Sequence, residues 1–281
     1  MAGLNPIVKQ MINDRTEQNQ PYDKRIVHEI LQQITLAGLY RGGFFSKAAF
    51  YGGTCLRLFH GLQRFSEDLD FSLLEPDQEF DLSHYFDAIL TEFKAYGCEA
   101  EIRKKKKTAL TAIESAFLKS NTSLYSLEAD IQGKVTIKVE VDTNPPSGFS
   151  TTPLALLEPF TFMVNCYTLP DLYAGKMSAL FYRQWQNRVK GRDWFDFIWY
   201  VRRNTPLNLQ HFNTRAQEQS PEFYTEPFTP ESFLQALQER IVSTDIESAK
   251  EDVRPFVRDS VELEAWSKEF FLQLVDRVRF L

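Results

Sequence analysis

Asp68 and Asp70 stand two residues apart in Arg64-Phe65-Ser66-Glu67-Asp68-Leu69-Asp70-Phe71-Ser72, and Gly52-Gly53-Thr54 lies a short way upstream. Residues 68 to 72 alternate as a strand does, so Leu69 and Phe71 share one face while Asp68, Asp70 and Ser72 share the other. Two carboxylates on one strand face are suited to a hard divalent cation. Magnesium takes a few carboxylate oxygens together with substrate phosphates and water, which suits phosphoryl or nucleotidyl transfer. The glycines would let backbone N–H groups approach a polyphosphate, and a helix opening at Thr54 or Cys55 would favour that anion at its N-terminus. Alone, the glycines describe a tight turn and the acids a solvated strand end; their succession favours chemistry.

A third carboxylate is expected on a neighbouring strand. In Lys134 to Thr143, Ile137, Val139 and Val141 alternate with Thr136, Lys138, Glu140 and Asp142, giving one apolar and one polar face. Glu140, flanked by Val139 and Val141, and Asp142 are the candidates on its polar face. Further on, Pro170 opens a helical pattern with Leu172, Met177, Leu180 and Phe181, and Lys176 falls within it. A lysine there either snorkels over the core, joins a structural ion pair, or reaches a triphosphate as a mobile charge. Asn187 to Phe197 reads as a basic loop entering a second helix, where Asp193 and Asp196 share a face with Tyr200. Either aspartate could simply hold the neighbouring arginines.

Tyr51-Gly52-Gly53 followed by Asp68-Leu69-Asp70-Phe71 resembles the signature of the nucleotidyltransferase superfamily that includes DNA polymerase beta. Gly-Gly-Thr-x-Leu-Arg with Arg-Phe-Ser-x-Asp-Leu-Asp-Phe is similar, more narrowly, to the AbiEii/AbiGii toxin branch. Lys176, Arg188, Lys190, Arg192, Asp193 and Asp196 match in order that branch's lysine motif and its Arg-x-Lys-x-Arg/Lys-Asp-x-x-Asp run. The resemblance covers roughly residues 45 to 200. It implies catalytic roles for Asp68, Asp70, Glu140, Lys176 and Asp196, with Asp68, Asp70 and Glu140 as ligands of magnesium, or of manganese in its place; Glu140 is the first choice for the third acid, because its apolar neighbours fit the superfamily's third-acid motif, and Asp142 the second. It also implies nucleotide contacts from Gly52, Gly53, Thr54, Ser66, Lys176 and Asp193. Some relatives carry a regulatory phosphorylation at the position of Ser66, where a serine beside acids could equally bond locally. The implied protein is a toxin of a bacterial toxin-antitoxin pair that transfers NMP from an NTP to RNA, with tRNA the first acceptor candidate and an antitoxin as partner.

The elements that must position these residues give an α+β expectation: a polymerase-beta-like mixed sheet flanked by helical N-terminal and C-terminal elements. Residues 1–44 form an N-terminal helical segment, 45–150 the nucleotidyltransferase core, and 151–281 a helical region that completes the active site. Helical stripes are expected at 24 to 40 and 84 to 97, and Thr229-Pro230 reads as an N-cap and first helical residue. Pro206, Pro221, Pro227 and Pro230 mark a loop-rich passage, and Leu263, Trp266, Phe270, Leu274 and Val278 suggest one longer helix.

With 281 residues the chain can bury a substantial core, and its net charge of -6 argues against indiscriminate nucleic-acid binding. Arg103 to Lys107 is a basic run that fits either a solvated strand end or an RNA contact. Cys55, Cys98 and Cys166 are scattered, as reduced cytoplasmic thiols are, and neither they nor the four histidines carry zinc spacing. No apolar stretch is long enough to cross a bilayer, so no membrane partner is expected. Three other readings share features of the sequence: nucleotidyl transfer to a small molecule or protein, a glycosyltransferase using Asp-x-Asp, and a non-catalytic nucleotide- or antitoxin-binding module.

Overall fold

The computed structural model describes residues 5–15, 23–104, 122–130, 134–182, 189–219, 224 and 226–281. The chain divides into two compact units. The first draws on Met1–Gly61, Ser66–Pro145 and Thr151–Cys166, the second on Leu62–Phe65, Pro146–Ser150 and Tyr167–Leu281.

The first unit is built on a mixed seven-stranded sheet. In chain order its strands are β1 (Ala48–Tyr51), β2 (Leu69–Leu73), β3 (Glu99–Lys104), β4 (Thr122–Asp130), β5 (Lys134–Asp142), β6 (Thr151–Leu156) and β7 (Phe162–Tyr167). Their spatial order is β3-β4-β5-β2-β1-β7-β6. β2 runs antiparallel to β1 and parallel to β5, so the strand carrying Asp70 lies between the glycine strand and the Glu140 strand. The period-2 pattern holds on β5, where Ile137, Val139 and Val141 are buried. Sequence alternation does not single out β6 or β7; β6 is an edge strand and tolerates Pro153, whose missing N–H is harmless there.

Helices α1 (Pro6–Arg15), α2 (Lys24–Arg41), α3 (Gly52–His60) and α4 (Phe86–Ala95) complete this unit. The stripe expected at 24 to 40 is α2, which Asp23 caps by accepting from the Arg25 N–H, and which is buried along most of its length. Under the sheet, Phe44 meets Phe71 edge to face at 5.0 Å and Phe50 meets Phe71 at 5.1 Å. Each such pair contributes about 1 kcal/mol beyond its area burial, and the second links β1 directly to β2.

The second unit is mainly helical: α5 (Leu169–Tyr182), α6 (Gly191–Arg202), α7 (Leu209–Gln219), α8 (Pro230–Ser243), α9 (Ile246–Val253) and α10 (Lys268–Val275), with a two-stranded sheet of β8 (Pro206–Leu207) and β9 (Arg279–Phe280). The α5 and α6 helices are joined by stacking of Tyr173 on Tyr200 at 4.2 Å. At Gly191 a side chain would collide with the Ala249 carbonyl, so α6 and α9 approach backbone to backbone there. Thr229 and Ser232 form the expected cap of α8, with Pro230 in its first turn.

Two expectations are corrected. Part of the loop-rich passage from 206 is helix α7, whose apolar anchors Phe212 and Ala216 are few but fully buried. The single long helix expected around 263 to 278 is broken. A 3-10 turn at Val261–Ala265 ends before Trp266, Ser267 caps α10 through the Phe270 N–H, and the chain leaves the helix after Val275 to form β9. Apolar spacing ran through the break because Trp266 and Phe271 pack together at 5.3 Å without sharing a helix.

Candidate active site

In the first unit the acids sit where two adjacent strands present one face. The parallel register of β2 and β5 puts Asp70 opposite Glu140 and Ser72 opposite Asp142. Asp68 immediately precedes β2 and is half-buried, as are Asp70 and Glu140. Asp142 is buried and accepts the backbone N–H of Asn144, which commits it to the turn that ends β5. Lys138, two residues before Glu140, places its ammonium on the Glu140 carboxylate. Burial opposes the charge of that lysine, but Glu140 together with Asp68 and Asp70 outweighs it and raises the pKa above the ordinary lysine value.

The glycine turn is fitted to the same carboxylates. Tyr51 pairs with Asp70 across β1 and β2, and Gly52 follows with φ +82. A Cβ at Gly52 would collide with the Asp70 carboxylate oxygen, so glycine is required both by conformation and by the side chain beside it. Helix α3 opens at this turn, with Gly53 and Thr54 buried in its first residues. Thr54 is fully buried and its hydroxyl donates to the Asp68 carbonyl at 2.5 Å. Its side chain therefore braces the start of the acidic strand.

Helix α2 supports the same passage. Gln32, fully buried, donates through Nε2 to the carbonyls of Ser66 at 3.0 Å and Glu67 at 2.9 Å. His28 Nε2 hydrogen-bonds the Glu67 carbonyl at 2.9 Å. Ser66 is only 8% exposed. The apolar stripe of α2 gives no hint of this role for Gln32, since its bonding partners lie more than thirty residues away.

The second unit holds a buried charge cluster. Arg64 grips Asp196 with two hydrogen bonds, Nε to Oδ1 and Nη2 to Oδ2, each 2.6 Å. Lys176 on α5 approaches Asp196 to 2.8 Å and Asp193 to 3.6 Å, both on α6. Asp196 is completely buried. Burial would raise its pKa, but the guanidinium of Arg64 and the ammonium of Lys176 hold it below the usual carboxylate range. Burial likewise opposes the charge of Arg64, and Asp196, Asp193 and Tyr200 more than restore it. The structure thus brings Lys176, Asp193 and Asp196 together and adds Arg64, which the local pattern does not reveal as their partner. Its position within Arg-Phe-Ser-x-Asp-Leu-Asp-Phe is the one signal that could have pointed to it.

Of the other basic residues, Arg103 pairs with Glu101 and Lys104 with Asp81 at the end of β3. Arg192 lies over the Phe256 ring at 4.0 Å. Arg188 and Lys105 to Lys107 lie outside the described residues. Cys55, Cys98 and Cys166 are buried free thiols. Among the described residues, no helix is long and apolar enough to cross a membrane.

The donor chemistry fits a hard divalent cation such as magnesium, since Asp70 and Glu140 offer carboxylate oxygens from one face of β2 and β5, and Asp68 stands just before β2. Among the described residues no three metal-ligating side chains are already gathered onto one point. Among the described residues, the ammonium of Lys138 is a positive charge beside these acids.

Comparison with known proteins bears on this arrangement. The family model described as nucleotidyl transferase AbiEii toxin, type IV TA system, matches residues 34–274. No curated protein matches the sequence. Among solved structures, the chain resembles MenT4, the nucleotidyltransferase toxin Rv2826c of Mycobacterium tuberculosis H37Rv, with a TM-score of 0.58 and 16% identity over 96% of this chain and 89% of that one. It also resembles JHP933 of Helicobacter pylori, with a TM-score of 0.53 and 19% identity over 92% and 91% of the two chains. At these identities the structures speak for a shared fold, while the family model spans most of the sequence and both clusters of charge. The chain belongs to the AbiEii family of toxin nucleotidyltransferases.

Proposed function

We propose that the protein transfers NMP from an NTP to an acceptor hydroxyl on RNA, releasing pyrophosphate, as the toxin of a cytoplasmic toxin-antitoxin pair. The single observation that carries this reading is the register of β2 on β5, which sets Glu140 beside Asp70 next to a glycine turn shaped around the Asp70 carboxylate. In this reading Asp68, Asp70 and Glu140 hold magnesium, or manganese in its place. When bound there, such an ion would supply Lewis-acid stabilisation of charge on the phosphoryl oxygens and would ease deprotonation of the attacking hydroxyl.

The chain's own residues do the rest. Backbone N–H groups at Gly53 and Thr54, at the start of α3, meet nucleotide phosphate, with Gly52 giving them room. Thr54 acts through Asp68, whose carbonyl it holds. Lys176 offsets negative charge on the nucleotide, and Asp196, itself fixed by Arg64, orients the lysine, with Asp193 as a second partner. Ser66 belongs to the nucleotide-binding set through the passage it shares with Asp68. Its burial means that any modification there requires this passage to open. An antitoxin is the expected protein partner.

The acceptor is proposed as tRNA. The test incubates alpha-labelled ATP, CTP, GTP and UTP with total bacterial RNA and magnesium, comparing the wild type with the double variant Asp68→Ala plus Asp70→Ala. A labelled tRNA-sized band that disappears in the double variant is the expected result and names the nucleotide. Label appearing only on protein or a small molecule would replace the acceptor while keeping the reaction, and no label on any of them would point to a binding role.

A further inference from the structure

Lys138 has a place that the catalytic reading does not use. It lies two residues before Glu140 on β5, so both side chains leave the same face of the strand. Its ammonium rests on Glu140, whose register partner is Asp70. The Lys138 side chain keeps 40% of its exposure and that of Glu140 keeps 22%. The buried cluster is different: Lys176 is 16% exposed and Asp196 is 0% exposed. A lysine with a half-exposed four-carbon stem can swing its head into solvent at little cost, whereas one enclosed beside a fully buried carboxylate cannot.

We propose that Lys138 is the built-in counter-ion of the acid face: its ammonium neutralises the carboxylates while no metal is bound and is expelled from Glu140 when a divalent cation binds. This rests on the reading that Asp68, Asp70 and Glu140 are the metal ligands. Two effects make such a residue useful. Carboxylates crowded on adjacent strands repel one another, and a cation among them relieves that repulsion. The same cation is a competitor, because an ammonium and a dication within a few ångströms of one carboxylate repel each other strongly in a partly desolvated site. The protein would therefore trade metal affinity for an acid face that is stable before metal arrives. The lysine would set the divalent-ion concentration at which the site fills.

The test measures Mn2+ binding without nucleotide, following free Mn2+ by electron paramagnetic resonance, for wild type, Lys138→Met and Lys138→Arg. Lys138→Met should bind Mn2+ about tenfold more tightly than wild type, and Lys138→Arg, which keeps the charge, should stay near the wild-type Kd. Thermal melting in EDTA gives a second reading. Lys138→Met should melt below wild type and gain more from added Mn2+, because Glu140 has lost the ammonium that rests on it. A wild type that binds Mn2+ with a Kd unchanged or weakened by Lys138→Met would overturn the counter-ion role while leaving the metal site intact. Loss of Mn2+ binding in all three folded proteins would overturn the metal reading and this inference with it.

Discussion

The protein carries two concentrations of charge, and they are built on opposite principles. On the sheet of the first unit, Asp68, Asp70 and Glu140 are half-buried acids, and Lys138, on a flexible stem, pairs with Glu140. Between α5 and α6 of the second unit, Asp196 is sealed from solvent and held from two sides by Arg64 and Lys176. In the first cluster the acids stay within reach of solvent, with Lys138 beside them, as the proposed metal and nucleotide site requires. In the second, geometry is fixed in advance by a bidentate pair with no freedom to rearrange. One cluster is built to exchange partners and the other to hold a side chain still.

The largest effect should come from breaking the fixed cluster. Asp196→Ala leaves Arg64 and Lys176 facing each other with their shared carboxylate gone, and removing one member of a buried ion pair costs about 3–5 kcal/mol. Urea unfolding should show that loss, and a change below 1 kcal/mol would mean that the cluster is far more hydrated than its burial indicates. The same carboxylate sets a pH dependence. Because the folded-state pKa of Asp196 is depressed, its contribution is fully present above the ordinary carboxylate pKa of about 4 and is lost as pH falls through the folded value. Stability measured from pH 7 downward should therefore fall more steeply in wild type than in Asp196→Asn over that acid window. Parallel curves would contradict the assigned direction.

The acid face should respond chiefly in activity. Gly52→Ala forces a Cβ into the Asp70 carboxylate and places alanine at φ +82. Gly61→Ala also meets a positive φ, +75, but has open space around the new methyl. Each should lose about 1–2 kcal/mol of stability from the backbone alone. Gly52→Ala should in addition lower nucleotidyl transfer about a hundredfold, as a misplacement of about 1 Å at a reacting centre does. Equal activity losses in the two variants would show that Asp70 is free to adjust, which would sharpen the contrast with the locked Asp196.

This contrast also explains what could be read in the sequence. The acids on β2 and β5 were legible because strand alternation is local: Leu69 and Phe71 set the apolar face of one, and Ile137, Val139 and Val141 that of the other. Glu140 and Asp142 differ in the register as well as in their sequence neighbours: Glu140 stands opposite Asp70, while Asp142 stands opposite Ser72 and accepts the N–H of Asn144. Arg64 and Gln32 were not legible as supports. Arg64 meets Asp196 across 132 residues, and a guanidinium two residues before a serine has no period or spacing that announces its partner. Lys138 was visible only as one member of a polar face. The break at Ser267 was hidden for a related reason: a serine cap is a weak local signal beneath a strong apolar period, and the packing of Trp266 decides against one continuous helix.

The smallest effect sharpens the comparison most, because it separates a brace from a ligand within the acid face. Thr54 gives its hydroxyl to the Asp68 carbonyl while wholly buried. Thr54→Val keeps shape and volume but removes the donor, and the loss of one such hydrogen bond costs about 1 kcal/mol. Thr54→Ser keeps the donor and should recover most of the activity that valine loses. If Thr54 acts through Asp68, valine should weaken Mn2+ binding measured without nucleotide, because the ligand-bearing backbone has lost its anchor. If the hydroxyl instead contacts nucleotide phosphate, valine should leave Mn2+ binding unchanged and raise the KM for NTP. The geometry predicts the first outcome, since a hydroxyl hydrogen already engaged at 2.5 Å by a carbonyl is not available to donate to a phosphate oxygen without breaking that bond.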